Sequence, residues 1–325
     1  MSELELAHVL AARRAIQDDI WRTPLQPSAA LNRLIGGDIH LKLECWQRTG
    51  SFKVRGALNK LAALSPPEWA RGVVTASAGN HGLGVAYASQ ALGRTTSVVI
   101  FVPENAPAVK VERLAAFACE VRRAGADYDT THATAQAYAQ EQDTAYISAY
   151  DDPDIIAGQG TVGLEVMEDL PDAELLLVPV GGGGLIAGMA VAAKAINPAV
   201  RVVGVQPEAS PSAYLSLRDG HAYETYPASP TICDGLAGGF GRLPFEVAGD
   251  LIDEVLVVPE ADIWQAVAWL LTQEQLVVEG SGAIAIAPLL TGQLNIKGRK
   301  VVAVLTGRNL DTDLMHKILM EQNEQ

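Results

Sequence analysis

The chain of 325 residues has no surplus of positive charge, and this excludes two classes of partner. It carries 24 lysine and arginine residues against 38 aspartate and glutamate residues, so its formal net charge at pH 7 is −14. Nucleic acids and anionic membrane surfaces are bound mainly through basic patches. We therefore expect no nucleic-acid partner and no membrane-surface partner.

Cysteine is also scarce. The three cysteines, Cys45, Cys119 and Cys233, are far apart in the sequence, odd in number and without the spacing of a metal site. Such residues are typical of reduced thiols in a cytosolic protein. The amino terminus carries acidic residues where a secretory signal begins with basic ones. These features predict a cytoplasmic location.

One uncharged run, residues 175–193, has the length of a membrane span. It contains Pro179 and the four glycines Gly181, Gly182, Gly183 and Gly184. Because proline and a glycine run interrupt a helix, a strand, a tight loop and a helix explain the run better. We expect no transmembrane segment.

Strand-like and helix-like segments alternate along the chain, which is typical of parallel sheets covered by helices. The length and a hydrophobic content of 49% favour two globular domains. The predicted strands are residues 72–77, 96–102, 120–124, 145–148, 175–180, 201–205, 256–258 and 301–305. The predicted helices are residues 79–92, 108–119, 128–142, 160–169, 185–196, 261–275 and 282–290. We expect no regulatory domain after the last strand.

Lys53 lies in the stretch Thr-Gly-Ser-Phe-Lys-Val-Arg-Gly-Ala, residues 49–57. From Ser51, a good N-cap, the pattern predicts a helix. Its apolar face contains Val54, Ala57, Leu58, Leu61 and Ala62. In the first turn, free N–H groups, the helix dipole and desolvation all disfavour a charged ammonium, so Lys53 is a candidate nucleophile able to form a Schiff base. The alternative is an ordinary surface lysine.

The four glycines at 181–184 directly follow an apolar strand and precede a helix, a context that predicts phosphate binding. A flexible tight turn is the alternative. Residues 182–187 also satisfy the G-x-G-x-x-A dinucleotide fingerprint, although Gln206 stands where the ribose-binding acid is expected. On this loop alone, a nicotinamide-dependent oxidoreductase stays open.

A second turn, residues 77–82, also joins a strand to a helix. Its backbone N–H groups and the Ser77 hydroxyl can form a cradle for a carboxylate. The side chain of Asn80 can donate to a phenolic or carbonyl oxygen. Nothing nearby in sequence orients His81 as a base, so we expect a structural role for it.

Four segments, in order, resemble the fold-type II pyridoxal-phosphate (PLP) enzymes, especially the threonine/serine dehydratases and serine racemase. They are residues 51–53 (Ser-Phe-Lys), 77–81 (Ser-Ala-Gly-Asn-His), 181–184 (four glycines) and 278–283 (Val-Glu-Gly-Ser-Gly-Ala). The resemblance covers nearly the whole chain. It implies an α/β fold of two open parallel-sheet domains with the cofactor in the cleft between them. The large PLP-binding domain would comprise residues 1–71 and 150–325, and the small α/β domain residues 72–149. It also implies a homodimer.

The resemblance further implies a role for each site residue. Lys53 would hold pyridoxal 5′-phosphate as a Schiff base and act as base at the substrate α-carbon. Phe52 would lie against the cofactor ring, Asn80 would bond the ring 3-hydroxyl, and Thr306 would meet the pyridine nitrogen. The residues implied for the phosphate are Gly181, Gly182, Gly183, Gly184 and Leu185. Those implied for the substrate carboxylate are Ser77, Ala78, Gly79, Asn80 and His81.

The implied reaction is β-elimination of water from L-threonine, L-serine or a related 3-hydroxy amino acid, giving a 2-oxo acid and ammonia. A hydroxyl from Thr306 leaves the pyridine nitrogen largely unprotonated, and this weaker electron sink suits elimination. Ala78 replaces a second serine of the racemases, so we expect weak racemisation. Gln206 and Ser212 replace the acidic ligands of the family's divalent-cation site, so we expect no metal site.

Arg308 and Gly280 depart from the commonest family pattern, which leaves a specialised dehydratase open. Such enzymes act in the breakdown of 3-hydroxyaspartate, phenylserine or hydroxyectoine. Arg308 either recognises a second substrate carboxylate or an unusual side chain, or faces solvent. A third class, a non-catalytic amino-acid sensor on the same scaffold, is also consistent with the motifs.

Overall fold

The computed structural model describes residues 4–94, 98–294 and 296–322. Within these ranges the strands are Leu25–Pro27 (β1), Asp38–Lys42 (β2), Val73–Ala76 (β3), Val98–Val102 (β4), Glu120–Arg123 (β5), Ala145–Tyr146 (β6), Leu175–Pro179 (β7), Arg201–Pro207 (β8), Glu254–Val258 (β9) and Lys300–Val304 (β10). The α-helices are Leu6–Ile16 (α1), Ala29–Ile35 (α2), Lys53–Ala63 (α3), Pro66–Arg71 (α4), Asn80–Ala91 (α5), Ala108–Ala115 (α6), Tyr128–Glu141 (α7), Pro153–Asp169 (α8), Gly184–Ile196 (α9), Ser212–Asp219 (α10), Arg242–Ala248 (α11), Glu260–Gln273 (α12), Gly280–Ala283 (α13), Ala287–Leu290 (α14) and Thr312–Gln322 (α15). Short 3-10 helices are Glu44–Trp46, Asp234–Leu236 and Ile284–Ile286.

The strands form two sheets. The larger has the order β1-β2-β10-β7-β8-β9, in which β1 alone runs antiparallel to its neighbour. The smaller has the order β5-β4-β3-β6 and is parallel throughout. The predicted α/β class with parallel sheets is confirmed. Strands of the smaller sheet all lie within residues 73–146, whereas the assignment of residues 1–71 and 150–325 to one domain and 72–149 to another stays a prediction.

Both faces of the larger sheet are covered. On β7, Leu175 and Leu177 pack in an apolar cluster with α12, α13 and α14, whereas Leu176 and Val178 pack in a second cluster with α8 and α9. Successive residues of a strand point to opposite faces, so a strand buried on both sides must be apolar throughout. This explains the continuous apolar run that precedes the glycine loop.

Some predicted boundaries were wrong. Helix α8 begins at Pro153, well before residue 160, because the Asp152 side chain accepts from two N–H groups of its first turn. The helix predicted at 282–290 is divided into α13, a 3-10 turn and α14, and Pro288 lies in the first turn of α14, where its missing N–H is tolerated. Of the strand predicted at 96–102, residues 96 and 97 lie outside the described residues, and the others form β4.

Helix α3, which begins at Lys53, is held between α5 and α8. A Cβ at Gly84 of α5 would lie 3.2 Å from the carbonyl oxygen of Lys53, and a Cβ at Gly158 of α8 would overlap the backbone of Gly56. The residues predicted for its apolar face are buried, except Ala62, which is half-buried. Small residues therefore allow α3 to approach both neighbours closely. Within the described residues, no helix combines the length and apolar character needed to cross a bilayer.

Candidate active site

The predicted site residues follow the carboxyl ends of parallel strands from both sheets. Ser77 comes after β3 and Ala149 follows β6 of the smaller sheet, whereas Gly181 follows β7 and Thr306 follows β10 of the larger one. Ligands of open parallel sheets bind at this edge. The two sheets thus bring together segments that are far apart in sequence.

Lys53 is the first residue of α3, but Ser51 is not its N-cap. The N-cap position is Phe52, without a side-chain cap. Ser51 instead pairs with Gly307 in an antiparallel bridge, and the N–H of Phe52 donates to the carbonyl of Thr306 at 3.1 Å. The Ser51 hydroxyl is buried and has no hydrogen-bond partner in the part of the chain that the structure describes. The N-cap prediction was wrong because the Ser51 hydroxyl bonds no N–H group of the first turn of α3, and the residue pairs with a distant segment instead.

The amine of Lys53 has no charged partner. Its Nζ donates to the carbonyl of Ala149 at 2.9 Å and lies 5.3 Å from the centroid of the Phe52 ring. No ion pair in the described part of the chain involves it. Desolvation lowers the pKa of Lys53 from 10.5 to about 8. Lys53 is therefore an amine with a substantial neutral fraction near physiological pH.

A buried charge network anchors the start of α3. The guanidinium of Arg55, two residues after Lys53, bonds both oxygens of Glu44 at 2.7 and 2.8 Å and both oxygens of Glu165 at 2.7 and 2.9 Å. The amine of Lys42 reaches Glu165 at 2.5 Å. Two cations and two anions balance in a site closed to solvent, which makes each partner costly to remove. The network therefore restrains the turn that carries Lys53.

The glycine loop forms an open backbone cradle. Gly183 has a φ of 94°, a conformation that glycine adopts without strain, and no side chain caps α9 after it. A Cβ at Gly182 would overlap the ring of Tyr150, and one at Gly183 would overlap the ring of Phe240. Because Tyr150 directly follows Ala149, the loop lies beside the carbonyl that accepts the hydrogen bond from the Lys53 amine. A helix N-terminus of this kind binds anions.

The turn at residues 77–80 is half-buried. The hydroxyl of Ser77 accepts from the N–H of Gly79 at 3.1 Å, and Ala78 packs against the apolar cluster of the smaller sheet. Asn80 opens α5; its Nδ2 donates to Glu279 Oε1 at 2.6 Å and its Oδ1 accepts from Asn309 Nδ2 at 2.5 Å. Asn80 thus connects the smaller sheet to two segments near the larger one.

His81 is buried and neutral. Its Nε2 lies 3.1 Å from the carbonyl of Ile147, which can only accept, so Nε2 carries the proton. The Nδ1 atom is buried and has no hydrogen-bond partner among the described residues. Burial, and then the nearby Lys53, lower the pKa of His81 to about 3. The ring is therefore poorly suited to act as a base at neutral pH, in line with a structural role.

Thr306 and Gly307 close the opposite side of the site. The Thr306 hydroxyl is buried and donates to the carbonyl of Ser281 at 3.2 Å. A Cβ at Gly307 would overlap the Glu279 carboxylate and lie 3.2 Å from Asn80 Nδ2. Glu279 is buried, and burial followed by the charge of Asp234 raises its pKa to about 7. Sequence reasoning gave Glu279 no role beyond its place in the segment 278–283, because its burial and its partner Asn80 depend on the tertiary structure.

Gln206 and Ser212 do not fit a divalent-cation site. The Gln206 Oε1 accepts from the N–H groups of Ala213 and Tyr214 at 2.9 and 3.1 Å, so it caps α10. Divalent cations in proteins usually bind at least one carboxylate, and these two residues supply none. Among the described residues, no group of three histidines, cysteines or acids could hold a metal. Gln206 is also uncharged where a dinucleotide fold places an acid.

Arg308 lies at the surface. It is exposed and lines an open pocket with Trp21, Thr23 and Trp46, and its N–H donates to the carbonyl of Gly50 at 2.9 Å. This position favours the interpretation that Arg308 faces solvent over the interpretation that it recognises a substrate group.

The donor set fits pyridoxal 5′-phosphate. An aldehyde requires a neutral amine, which Lys53 supplies, and a phosphate requires N–H donors, which the loop before α9 supplies. A pyridine nitrogen and a phenolic oxygen both accept hydrogen bonds. Asn80 carries an N–H that can donate to the oxygen, and the Thr306 O–H can donate to the nitrogen when it turns away from the Ser281 carbonyl. These residues come from separate segments that the contacts given above bring together.

A parallel α/β fold with such a lysine and glycine loop defines a class of vitamin B6 enzymes. The sequence profile described as "Pyridoxal-phosphate dependent enzyme" matches residues 16–307. The chain belongs to this family. The predicted family, fold class and cofactor are confirmed, and the nicotinamide alternative has no support beyond the glycine loop.

Within this family, the chain is similar to an ammonia-lyase, a deaminase and a racemase. Over 317 residues the chain is 43% identical to the L-threonine ammonia-lyase of Thermotoga maritima, covering 97% of this chain and 78% of that protein. It is similar to the processed form of threonine deaminase isoform 2 from Solanum lycopersicum, with a TM-score of 0.92, 34% identity and coverage of 98% and 88%. It is also similar to maize serine racemase, with a TM-score of 0.91, 32% identity and coverage of 99% and 98%.

Proposed function

We propose that this protein is a PLP-dependent ammonia-lyase that removes water from L-threonine, L-serine or a related 3-hydroxy amino acid, giving a 2-oxo acid and ammonia. The observation that carries the proposal is the Lys53 amine, without an ion-pair partner and with a lowered pKa, beside the glycine loop. The 43% identity to an L-threonine ammonia-lyase supports this reaction over others of the family.

Five groups of the chain hold the cofactor in this proposal. Lys53 binds it covalently, and Phe52 lies against its ring. The Asn80 amide donates to the ring 3-oxygen, and the Thr306 hydroxyl turns from the Ser281 carbonyl to donate to the ring nitrogen. The phosphate is held by Gly181, Gly182, Gly183, Gly184 and Leu185. Bound PLP supplies an electron sink that stabilises negative charge at the substrate α-carbon.

The remaining groups act on the substrate. The Ser77 hydroxyl and the backbone N–H groups of residues 78–81 bind its carboxylate, which orients the α-hydrogen toward Lys53. Once the substrate amine has displaced it from the cofactor, the Lys53 Nζ would take the α-proton and, as an ammonium, would return a proton to the departing β-hydroxyl, which leaves as water. The resulting enamine tautomerises to an imine, which hydrolyses to the 2-oxo acid and ammonia. A Lys53 pKa near neutrality suits a proton acceptor at this step.

Ala78 supports elimination over racemisation. Racemisation requires a proton donor on the face of the α-carbon opposite Lys53, and a methyl side chain cannot donate. Introducing Ala78→Ser should therefore raise the conversion of L-serine to D-serine, measured by chiral chromatography. If the unaltered protein racemises L-serine faster than it releases 2-oxo acid, the assignment as a lyase is wrong.

The direct test is borohydride reduction of cofactor-loaded protein, followed by peptide mapping. We expect a pyridoxyl label on Lys53, and release of 2-oxo acid from members of a panel of 3-hydroxy amino acids. Lys53→Ala, the matched control, should lose both. A label elsewhere or nowhere would contradict the proposal.

The same experiment separates the alternatives. Cofactor binding at Lys53 without turnover of any amino acid would indicate a sensor. Preference for 3-hydroxyaspartate or phenylserine over threonine would indicate a specialised dehydratase. Tight NADH binding that Lys53→Ala leaves unchanged would indicate an oxidoreductase.

We further propose that the protein is a cytoplasmic homodimer. The side chains of Trp21, Leu34 and Trp46 are large, apolar and exposed, which supports burial against a second copy. The free thiols Cys45 and Cys233 are buried, as suits a reducing compartment. Light scattering should give twice the chain mass, and Trp21→Glu should shift it toward one chain mass; a monomer at every concentration would refute the dimer.

A further inference from the structure

The segment 278–283 is one of the four that resemble the family, yet the proposed function assigns no role to its one charged residue, Glu279. Glu279 is 8% exposed and precedes the first turn of α13. Its N–H donates to the carbonyl of Gly307 at 3.1 Å, so the backbone fixes it beside the ring-nitrogen side of the site. Among the described residues, no cation lies at contact distance from Glu279. A buried carboxylate of this kind is costly and calls for a functional reason.

Its carboxylate ends a chain of side-chain amides. Glu279 Oε1 accepts from Asn80 Nδ2 at 2.6 Å, and Asn80 Oδ1 accepts from Asn309 Nδ2 at 2.5 Å. Asn309 Nδ2 also donates to the carbonyl of Thr49 at 3.0 Å, and the Asn309 N–H donates to Glu279. In each of these hydrogen bonds one group donates and the other accepts, as long as Glu279 is ionised and can only accept.

This chain determines which atom of Asn80 remains for a ligand. Its Oδ1 is occupied, and its Nδ2 gives one of two hydrogens to Glu279, so the second N–H is the group left over. The ring 3-oxygen of PLP is an acceptor when ionised and is attracted by an N–H. If the amide turned over, a carbonyl oxygen would face this anion and repel it.

We propose that Glu279 is a positioning residue that, in its ionised form, orients the side-chain amide of Asn80 so that Asn80 donates to the cofactor ring oxygen. The inference rests on the proposed function, because it assigns Asn80 the same cofactor contact. Glu279 touches neither cofactor nor substrate in this arrangement and acts only through Asn80.

Protonation of Glu279 weakens this preference. The Asn80 N–H then donates to a neutral carboxyl instead of a carboxylate, and the bond from Asn309 is the stronger restraint that remains on the amide. The pKa of Glu279, raised to about 7, places this change within a range accessible to experiment. The ionisable groups whose charges act on Glu279 or respond to it are Asp234, Lys110, Cys45 and Cys233.

Two of these groups offer opposite perturbations. Asp234 raises the pKa of Glu279, whereas Lys110 lowers it, and the two form an ion pair of 2.9 Å in which Asp234 is 67% exposed. Neither residue belongs to the proposed binding machinery. Removing one charge at a time should therefore move the Glu279 transition without removing the carboxylate.

The test measures the dissociation constant and the absorbance spectrum of pyridoxal 5′-phosphate on the full-length protein between pH 5.5 and 9. In the unaltered protein we expect tighter binding above the Glu279 transition than below it. Glu279→Gln retains the shape of the side chain but cannot ionise. We therefore expect the change in its dissociation constant across this pH range to be about tenfold smaller than in the unaltered protein, because a charged hydrogen bond is replaced by a neutral one. The absorbance spectrum of bound pyridoxal 5′-phosphate responds to the state of the ring oxygen, and in Glu279→Gln it should no longer change at the pH of the Glu279 transition.

The charge variants give the second readout. Asp234→Asn should move the midpoint of the transition to lower pH, and Lys110→Met should move it to higher pH. A purely structural role for Glu279 would change affinity or stability without these opposite shifts. The inference is overturned if Glu279→Gln keeps the transition of the unaltered protein, or if both charge variants move it in the same direction or leave it in place.

Borohydride labelling shows whether only the proposed role of Glu279 is wrong or the proposed function itself is wrong. If Lys53 is labelled in every variant while the pH transitions disagree with expectation, only the role of Glu279 is wrong. If Lys53 is labelled in none, including the unaltered protein, the proposed function itself fails.

Discussion

The lowered pKa of Lys53 predicts an unusually reactive amine in the cofactor-free protein. Desolvation lowers its pKa from 10.5 to about 8. At pH 7 an amine with a pKa of about 8 is roughly 10% neutral, whereas one with the ordinary value is roughly 0.03% neutral. Lys53 should therefore have about 300 times the neutral fraction of an ordinary lysine.

Reductive methylation with formaldehyde and cyanoborohydride measures this difference. The reagent is small enough for a half-buried amine, and mass spectrometry of the digest gives the rate at each lysine between pH 6 and 11. Normalising Lys53 to lysines at exposed positions removes the pH dependence of the reagent. We expect the ratio to be highest near neutral pH and to fall above pH 8, since the Lys53 amine is then already neutral.

Stability provides an independent check with a defined sign. The native pKa of Lys53 lies below its unfolded value, so the unfolded chain binds more protons between pH 8 and 10.5. The contribution of Lys53 to the free energy of unfolding therefore rises with pH across this window. Lys53→Met should remove the rise. A methylation ratio that stays constant up to pH 10, together with an unchanged stability profile in Lys53→Met, would refute desolvation as the cause of reactivity.

Two further predictions concern the surroundings of Lys53. Arg55→Met leaves buried carboxylates without their cationic partner and should lower the free energy of unfolding, measured by urea titration, by about 3–5 kcal/mol. Combining Arg55→Met with Glu44→Gln should recover much of this loss. A cost below about 1 kcal/mol for the single change would contradict the importance of the network. Gly182→Ala would force a methyl group into the Tyr150 ring and should weaken pyridoxal 5′-phosphate binding by about tenfold or more, measured by absorbance titration. The matched control Gly37→Ala meets only ordinary contacts of 3.4 Å and longer and should bind normally, so equal effects of the two alanines would argue against the cradle.

Secondary structure was predictable where a local pattern and a local cause coincide. The run at 175–180 is apolar because both faces of β7 are buried, and the turn to α9 follows from its glycines. The early start of α8 was missed, although Asp152 and Pro153 are themselves a local signal for a helix N-terminus. Ser51 was misassigned for a different reason, since its partner Gly307 is 256 positions away in the numbering.

The sequence by itself determined which chemical groups are present: a lysine opening a helix, a glycine loop before another helix, and a hydroxyl after the last strand. These are local requirements of backbone conformation and charge, so short segments suffice to recognise them. Tertiary structure alone decided how the groups act. Asn80 meets Glu279 across 199 positions and Asn309 across 229, and the pKa of Lys53 falls because neighbouring elements exclude water. Hydrogen-bond direction and desolvation depend on what surrounds a group in space, and no local pattern contains that information.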